Sequence, residues 1–161
     1  MQAENRMTLI LEWRAGLRRM VTALVLLIGT SGMGWAQLGN GADAIVGEWL
    51  TAEGKARVLV SKCDSTYCGK IIWLKEPIKN GKEVVDDKNP DPSLQSRMVL
   101  GMTILWGFSY DGEDVWKGGK VYDPENGTTY SAKIALTDSG ELKLRGYVII
   151  PLLGRTEIWT R

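Results

Sequence analysis

The sequence gathers side-chain oxygen atoms in one short stretch, at Asp86, Asp87, Asn89 and Asp91. Carboxylate and amide oxygens are the ligands that calcium prefers, so the stretch has the composition of a cation site. Its spacing differs from the EF-hand pattern, because the glycine at the sixth position and the glutamate at the twelfth position are missing. Aspartate, asparagine and proline in close succession are also typical of turns. We therefore predict solvated turns in this stretch and no metal site.

No histidine occurs in the 161 residues. This absence removes the commonest general base, the usual partner of a catalytic serine or cysteine, and the commonest catalytic zinc ligand. Paired carboxylates remain a route to glycoside hydrolysis, but they must lie about 5 to 9 Å apart in one cleft. The acidic residues here cluster in turns instead. We expect a protein that is not an enzyme, with no catalytic residues and no cofactor.

Aromatic side chains and one arginine are the candidates for a binding site. Trp73, Trp106 and Trp116 are the best candidates for the walls of a pocket, because amphipathic rings give a large contact area at low entropic cost. Arg97 could meet an anionic ligand, or it could tie a loop together through nearby carboxylates. The tryptophans could equally fill a core, since an eight-stranded barrel is wide enough for packed side chains or for one small ligand.

The two cysteines, Cys63 and Cys68, are separated by four residues. Thioredoxin-like redox pairs have two intervening residues and lie on a βαβ unit, and neither condition holds here. In an exported protein this close spacing favours a disulfide that closes a hairpin turn. We predict a structural Cys63–Cys68 bridge.

Alternation of apolar and polar residues predicts that these side chains are positioned by short strands. Val58 and Val60 alternate with polar neighbours, and so do Ile134 and Leu136. About eight such segments occur, separated by turn residues such as Asp111-Gly112. The pattern predicts an all-β fold, an up-and-down antiparallel barrel with strands over 45–50, 55–62, 69–74, 103–110, 114–122, 128–136, 141–150 and 155–160.

Two segments depart from the regular meander. Residues 75–97 form a long polar insertion, which could be a lid over one end of the barrel or a tolerated surface excursion. Within it, Asp91 and Pro92 are suited to start a helical turn. Residues 147–153 are almost continuously apolar around Pro151. We predict that this run is buried; the alternative is an exposed patch for a partner or a membrane surface.

The first 36 residues have the pattern of a secretory signal peptide. Arg14, Arg18 and Arg19 precede an apolar run, and small residues lead to a cleavage site after Ala36. The apolar run is shorter than the roughly 20 residues of a membrane span, so a retained anchor is the weaker interpretation. We predict a signal peptide over 1–36, a short flexible segment over 37–44 and one domain over 45–161. The mature protein is expected to be periplasmic or secreted and soluble.

Removal of the signal peptide leaves 161 − 36 = 125 residues with 16 basic and 17 acidic side chains, a net charge of 16 − 17 = −1. A near-neutral chain lacks the electrostatic footprint of a nucleic-acid-binding protein. It also argues against strong attachment to anionic lipid.

Both ends of the predicted domain carry a recognisable pattern. Gly47-Glu48-Trp49 opens the first strand, and Trp159 and Arg161 close the last. This arrangement resembles the calycins, the group of lipocalin- and streptavidin-like barrels, and implies that Trp49 packs against Arg161 at the closed end. Gly47, Trp49 and Arg161 are therefore expected to be structural.

Further segments resemble a family of small exported bacterial proteins classed as a domain of unknown function. The resemblance covers residues 45–161 and implies export and a barrel, with no activity to transfer. Our leading hypothesis is a periplasmic or secreted barrel that binds a small apolar or amphipathic ligand at the mouth bounded by the insertion, with aromatic side chains as walls. The alternative is a packed envelope-interaction or stress-related module without a ligand. The segments that carry the resemblance are 68–74, 89–92, 122–130, 144–147 and 153–161.

Overall fold

The structure is a computed structural model, and it describes residues 41–161. The predicted signal peptide and residues 37–40 lie outside the described part. Eight antiparallel strands form one sheet in which every strand pairs with its neighbours along the chain, so the predicted all-β up-and-down barrel is confirmed. A separate two-stranded hairpin lies in the insertion. The strands are β1 Gly47–Leu50, β2 Ala56–Cys63, β3 Thr66–Leu74, β4 Ile78–Lys79, β5 Lys82–Glu83, β6 Thr103–Gly112, β7 Val115–Asp123, β8 Thr128–Leu136, β9 Leu142–Tyr147 and β10 Arg155–Trp159.

The first and last strands meet and nearly close the barrel. The amide of Leu50 donates to the carbonyl of Thr160 at 2.7 Å, and the amide of Thr160 donates back at 3.0 Å. Because the strands run up and down in sequence order, successive connections alternate between two ends. We call the end where β1 begins the N-terminal end. The opposite end, with the connections at residues 51–55, 75–102, 124–127 and 148–154, is the loop end.

The interior is filled by the apolar faces of the strands. The alternation predicted at Val58, Val60 and Ile134 is present, and these side chains are at most 1 % exposed. At the middle of the barrel a Cβ atom on Gly119 would lie 2.4 Å from the ring of Phe108, so glycine is required for this close packing. The other side chains of the core that are at most 2 % exposed are Ile45, Trp49, Leu105, Trp116, Ala132, Leu142 and Trp159.

The N-terminal end is covered by the chain that precedes β1. The guanidinium of Arg161 lies 4.3 Å from the ring centroid of Trp49 and donates to the carbonyls of Ala44 and Val46 at 2.7 and 3.1 Å. A Cβ on Gly47 would lie 3.9 Å from Nη2 of this arginine. Residues 41–44, the described part of the segment expected to be flexible, form a turn. These contacts couple the two termini of the domain by a cation–π interaction and hydrogen bonds.

The predicted disulfide is confirmed. Cys63 ends β2 and Cys68 lies in β3, and their Cα atoms are 5.9 Å apart. Asp64 in the intervening turn adopts a φ of 54°, the left-handed conformation that aspartate tolerates in tight turns. The bridge therefore closes a hairpin at the N-terminal end of the barrel.

The long insertion has structure of its own. After the β4–β5 hairpin, Val85 forms an isolated antiparallel bridge with Met98. Between them the predicted helical turn is present as a 3₁₀ helix over Pro92–Leu94, with the side chain of Asp91 accepting from the amide of Ser93 at 2.9 Å. The insertion is thus a compact loop, and the bridge between Val85 and Met98 joins its two ends.

The predicted burial of residues 147–153 is wrong. Strand β9 ends at Tyr147, and the residues that follow form an exposed loop with a 3₁₀ helix over Pro151–Leu153. The side chains of Ile149 and Leu152 are each 81 % exposed. The pairing of β9 ends at Tyr147, four residues before Pro151, so the apolar run extends beyond the sheet that could bury it.

Candidate functional site

A buried carboxylate lies at the centre of the insertion, where solvated turns were predicted. Asp86 is completely buried and Asn89 is 6 % exposed, so the prediction of solvation is wrong for both. The hydroxyl of Tyr122 donates to Oδ1 of Asp86 at 2.6 Å. Nε and Nη2 of Arg97 lie 3.0 and 2.9 Å from Oδ2. The partners of the carboxylate come from β7 and from the far end of the insertion, which is why burial is possible.

The amide of Asn89 completes this cluster. Its Nδ2 donates to Oδ2 of Asp86 at 2.7 Å and to the Tyr122 hydroxyl at 2.9 Å, and its Oδ1 accepts from the amide of Asp91. Within the described residues no buried side-chain nitrogen or oxygen lacks a hydrogen-bond partner. A fully satisfied polar network of this kind fixes one arrangement of the chain. We call Asp86, Asn89, Arg97 and Tyr122 the polar cluster.

The environment of Tyr122 favours its neutral form. Burial raises the pKa of the hydroxyl, and the hydrogen bond to Asp86 raises it further. The guanidinium of Arg97 also lies 5.6 Å from the centroid of the Tyr122 ring, so the cation covers one face of the aromatic ring. The hydroxyl therefore remains a hydrogen-bond donor to the carboxylate throughout the neutral pH range.

The strand register places the polar cluster on the outside of the barrel wall. Gly119 pairs with Ala132, which is completely buried in the core, so both residues face inward. Tyr122 is three positions further along β7 and pairs with Thr129, so it faces outward. It is nonetheless only 6 % exposed, because the insertion covers it. The insertion is therefore folded against the outer wall at the loop end.

Gly127 shows how tightly the insertion contacts the barrel. This residue ends the turn between β7 and β8 with a φ of 72°, and a Cβ at this position would lie 1.9 Å from the carbonyl oxygen of Lys88. The backbone of the insertion occupies the space that any other side chain would need. The turn and the insertion therefore fix each other's position.

An open pocket of about 500 Å³ lies between the insertion and the outer wall. Its apolar surface includes Pro90, Leu94 and Trp106, while Arg97 contributes a cation. Threonine hydroxyls of strands β6 and β8 add hydrogen-bonding groups. The full lining is Asn89, Pro90, Leu94, Arg97, Thr103, Trp106, Tyr122, Gly127, Thr128 and Thr129.

The structure brings together two of the four residues predicted to bind a ligand. Trp106 and Arg97 both line the pocket. Trp106 pairs with Lys120 on the outer wall and is 38 % exposed. The side chain of Arg97 is 41 % exposed. The hydrogen bond from Nε and the ion pair through Nη2 hold the guanidinium against Asp86 at the edge of the pocket. Arg97 is therefore a structural tie to the insertion and also presents accessible surface to the pocket.

The other two predicted tryptophans lie elsewhere. Trp73 pairs with Arg57, is 41 % exposed on the outer wall and is not among the residues that line the pocket. Trp116 is completely buried, lies edge-on to Tyr67 with 6.5 Å between ring centroids, and donates from Nε1 to the carbonyl of Ala42 at 3.0 Å. Trp116 is a core residue of the N-terminal end. Sequence alternation could not distinguish these three environments.

The interior of the barrel at the loop end is charged. Asp123 follows the inward-facing Val121 by two positions, and Glu157 pairs with the buried Leu144. Burial raises the pKa of the Asp123 carboxyl, and the hydrogen bond from the Glu125 amide opposes this shift. The negative charges of Glu125 and Glu157 also raise this pKa, while the charge of Arg155 lowers it. Charged groups in this position make the barrel opening unfavourable for an apolar molecule. The apolar surface available to a ligand lies in the outer pocket instead.

Two features of the described residues bear on other classes of site. Residues 41–161 contain no group of three acidic or cysteine side chains that could hold a metal ion. The same residues contain no helix long and apolar enough to cross a membrane.

Comparisons with known proteins support the barrel assignment. A solved structure of the protein HP1028 from Helicobacter pylori, described as belonging to the lipocalin family, is similar to this chain with a TM-score of 0.64 and 26 % identity. The match covers 72 % of this chain and 81 % of that one. A comparison with curated proteins finds no match.

The profile of a bacterial protein family also matches residues 47–161, essentially the whole domain. Its description is "uncharacterized protein conserved in bacteria", DUF2147. Both resemblances inferred from the motifs, to the calycin group and to a family of unknown function, are confirmed. The chain belongs to the DUF2147 family and has a lipocalin-like barrel.

Proposed function

We propose that the protein is an exported, non-enzymatic binding protein that takes a small, partly apolar ligand. The lipocalin-like fold supports this role, because barrels of this type hold single small ligands. In the familiar arrangement the ligand enters the barrel. Here the centre is packed and the opening is charged, so the pocket between the insertion and the outer wall is the better candidate.

The observation that carries the proposal is the juxtaposition of Trp106 and Arg97 in that pocket. The indole ring offers a flat apolar wall, and Leu94 extends it. Nε and Nη2 of Arg97 are engaged with Asp86, and this orients the guanidinium without burying it completely. A ligand with an apolar body and an anionic group matches the pair. The fixed position of the guanidinium lowers the ordering cost of binding.

Two observations support export to an oxidising compartment. The first 36 residues have the order of charged, apolar and small residues found in signal peptides. The Cys63–Cys68 disulfide is of a kind that persists in the periplasm or outside the cell and is rare in the cytosol.

The direct test is native mass spectrometry of the processed protein, purified from the periplasm of its own host. We expect the mass of the chain cleaved after Ala36, lowered by two hydrogens for the disulfide, together with an additional mass that is lost on denaturation. Fragmentation of the released molecule then identifies the ligand class. A bare chain, together with no change in tryptophan fluorescence across panels of fatty acids and other amphiphiles, would contradict the proposal.

A pair of matched variants assigns the site. Trp106→Ala removes the apolar wall of the pocket and should weaken ligand binding about tenfold or more, since burial of an aromatic ring contributes on the order of 2 kcal/mol. Trp73→Ala removes a tryptophan of similar exposure outside the pocket and should leave the affinity unchanged. Equal losses in both variants would show that the pocket is not the binding site.

One observation favours a second candidate function. The exposed apolar loop at residues 148–153 is a feature of an interaction module that acts through its outer surface and binds no small ligand. The two functions are separable. A loop variant should retain a ligand held in the pocket, whereas Trp106→Ala should retain any interaction made by the loop.

A further inference from the structure

The loop end carries an unusual concentration of exposed aliphatic side chains. In the β9–β10 connection Val148 is 75 % exposed, Ile149 81 %, Leu152 81 % and Leu153 77 %. These four side chains come from six consecutive positions. Scattered exposed apolar residues are normal on a protein surface, but a contiguous group of this size at the tip of a loop marks an interaction site.

The loop is held in one shape by the strand beneath it. The guanidinium of Arg145 donates to the carbonyls of Pro151 and Leu152 at 2.5 and 3.0 Å, and to the hydroxyl of Thr156 at 2.7 Å. Gly154 lies so close to the preceding strand that a Cβ would be 2.4 Å from the carbonyl oxygen of Gly146. The carbonyls of Pro151 and Leu152 are thereby satisfied by the protein itself, while the aliphatic side chains remain outside.

The outer wall next to this loop is basic. Lys133 and Arg145 pair across β8 and β9, and Lys120 of β7 donates to Ser131 of β8 on the same wall. Lys143 is a further outward cation of β9. Within strands β7, β8 and β9 the one acidic residue is Asp123, which faces the interior.

Acidic side chains at the loop end lie in connections outside this wall. Glu53 and Glu125 both contact Lys55, at 3.1 and 3.2 Å, and this single cation balances one of the two negative charges. Arg155, at the end of the apolar loop, is 81 % exposed, and its guanidinium lies 3.9 Å from the carboxylate of Glu157. A chain of near-zero net charge can therefore carry a basic wall beside an apolar tip, and the local charge of this surface decides its attraction to anionic lipid.

We propose that the apolar loop and the basic wall together dock on an anionic lipid bilayer. The four aliphatic side chains enter the boundary between headgroups and acyl chains, and Lys120 and Lys133 contact the anionic headgroups. Apolar insertion combined with cationic attraction is the combination that gives reversible attachment of a peripheral protein. The preformed loop adds little ordering cost on binding.

The composition and size of the loop favour a lipid surface over a protein partner. Energetically dominant residues in protein interfaces are mostly Trp, Tyr and Arg, whereas the exposed tip is aliphatic. A stable protein interface uses about 20 to 30 residues on each side, and this tip contains six. A second copy of the chain docked tip to tip would also bring the two basic walls together, which is unfavourable.

The test uses flotation of the processed protein with vesicles of phosphatidylcholine alone or with about 30 % phosphatidylglycerol. We expect binding about tenfold stronger to the anionic vesicles, weakening as salt is added. The double variant Leu152→Ser with Leu153→Ser should reduce this binding about tenfold or more. Lys120→Ser with Lys133→Ser should abolish the preference for anionic vesicles while leaving the weak binding to neutral ones.

Ile78→Ser is the matched control. Ile78 is 55 % exposed in the β4–β5 hairpin of the insertion, so the variant removes an exposed aliphatic side chain outside the proposed surface and should bind like the wild type. Thermal unfolding checks that each variant is folded, which is expected because the altered side chains are exposed. Absence of wild-type binding to anionic vesicles, or equal binding by the leucine variant, overturns the proposal. Concentration-dependent dimerisation that the leucine variant abolishes would assign the loop to self-association instead.

Discussion

The hydroxyl of Tyr122 lies 2.6 Å from Oδ1 of Asp86, and this hydrogen bond joins the outer wall of the barrel to an insertion 36 residues earlier in the chain. The contact replaces water on a carboxylate that is completely buried. Together with Arg97 and Asn89 it determines where the insertion rests and so shapes the pocket. The polar cluster therefore holds the insertion in the position that forms the candidate site.

Replacing Asp86 by alanine should destabilise the protein strongly. The change leaves Arg97, Asn89 and Tyr122 without their shared acceptor, and loss of one partner from a buried charged network costs about 3 kcal/mol or more. Denaturant unfolding measures the loss. Asp87→Ala is the control, since Asp87 is exposed and its contact is a surface ion pair with Lys88, 3.6 Å away. Equal stability of the two variants would show that the cluster does not hold the insertion.

Replacing Gly127 by alanine should detach the insertion from the turn beneath it. The new Cβ would overlap the Lys88 carbonyl, and the positive φ would be strained as well. We expect a loss of about 3 kcal/mol, combining roughly 1 kcal/mol of backbone strain with about 2 kcal/mol of overpacking.

Gly140→Ala separates these two contributions. Gly140 has a φ of 78°, but no atom lies within 4 Å of a Cβ built there, so only the backbone strain should remain. Hydrogen exchange of residues 84–99 should accelerate in the Gly127 variant and stay unchanged in the Gly140 variant. The same exchange pattern in both would refute the close contact between turn and insertion.

These contacts also show what a sequence can and cannot reveal. The strands were predictable because alternation along residues such as Val58, Val60 and Ile134 is a local signal, and the disulfide was predictable from the close spacing of its cysteines. The burial of Asp86 has no local signal, since its neighbours are turn-forming and polar and its partner Tyr122 is distant in sequence. The apolar composition of residues 147–153 predicted burial. These residues are exposed because strand β9 ends at Tyr147, and the end of a strand is not marked by apolar composition.

The tryptophans illustrate a second limit. A β-bulge lies between Arg57 and Val58 where β2 pairs with β3, and it shifts the alternation by one position. Trp73 consequently faces outward, two residues after the inward-facing Ile71. Alternation in the sequence does not reveal a bulge of this kind. The tryptophan content therefore predicted that aromatic side chains could line a pocket, but it did not predict which tryptophans do so.

Removing the disulfide should affect stability and leave the pocket intact. Cys63→Ser with Cys68→Ser frees a short loop of the unfolded chain, so we expect a loss on the order of 2 kcal/mol. The bridge is at the N-terminal end, whereas the pocket is at the loop end. Ligand affinity should therefore match the wild type at temperatures where the variant is folded. A parallel loss of affinity and stability in the folded variant would indicate coupling between the two ends.

Titration at high pH should reveal the contact between Tyr67 and Asp43. Burial, followed by the hydrogen bond and charge of Asp43 at 2.5 Å, raises the pKa of Tyr67 to about 12. Since an unfolded tyrosine ionises near pH 10, the associated stability is fully present below about pH 10 and is lost as pH rises through about 12.

Asp43→Asn tests the assignment. The variant keeps a side-chain acceptor but removes the negative charge, so Tyr67 should ionise at a lower pH, and the tyrosinate absorbance should rise earlier than in the wild type. Tyr67→Phe identifies the component of the curve that belongs to Tyr67. An unchanged curve in Asp43→Asn would exclude the carboxylate as a cause of the raised pKa.

The meeting of Leu50 with Thr160 has a consequence for the order of folding. The strands that close the barrel are the first and the last to be synthesised, and Arg161 seals the chain before β1 only after all other strands exist. Until then β1 and β9 are unpaired sheet edges, and contacts of such long sequence separation form slowly. The topology thus prevents a nascent chain from completing the barrel before β10 has been synthesised.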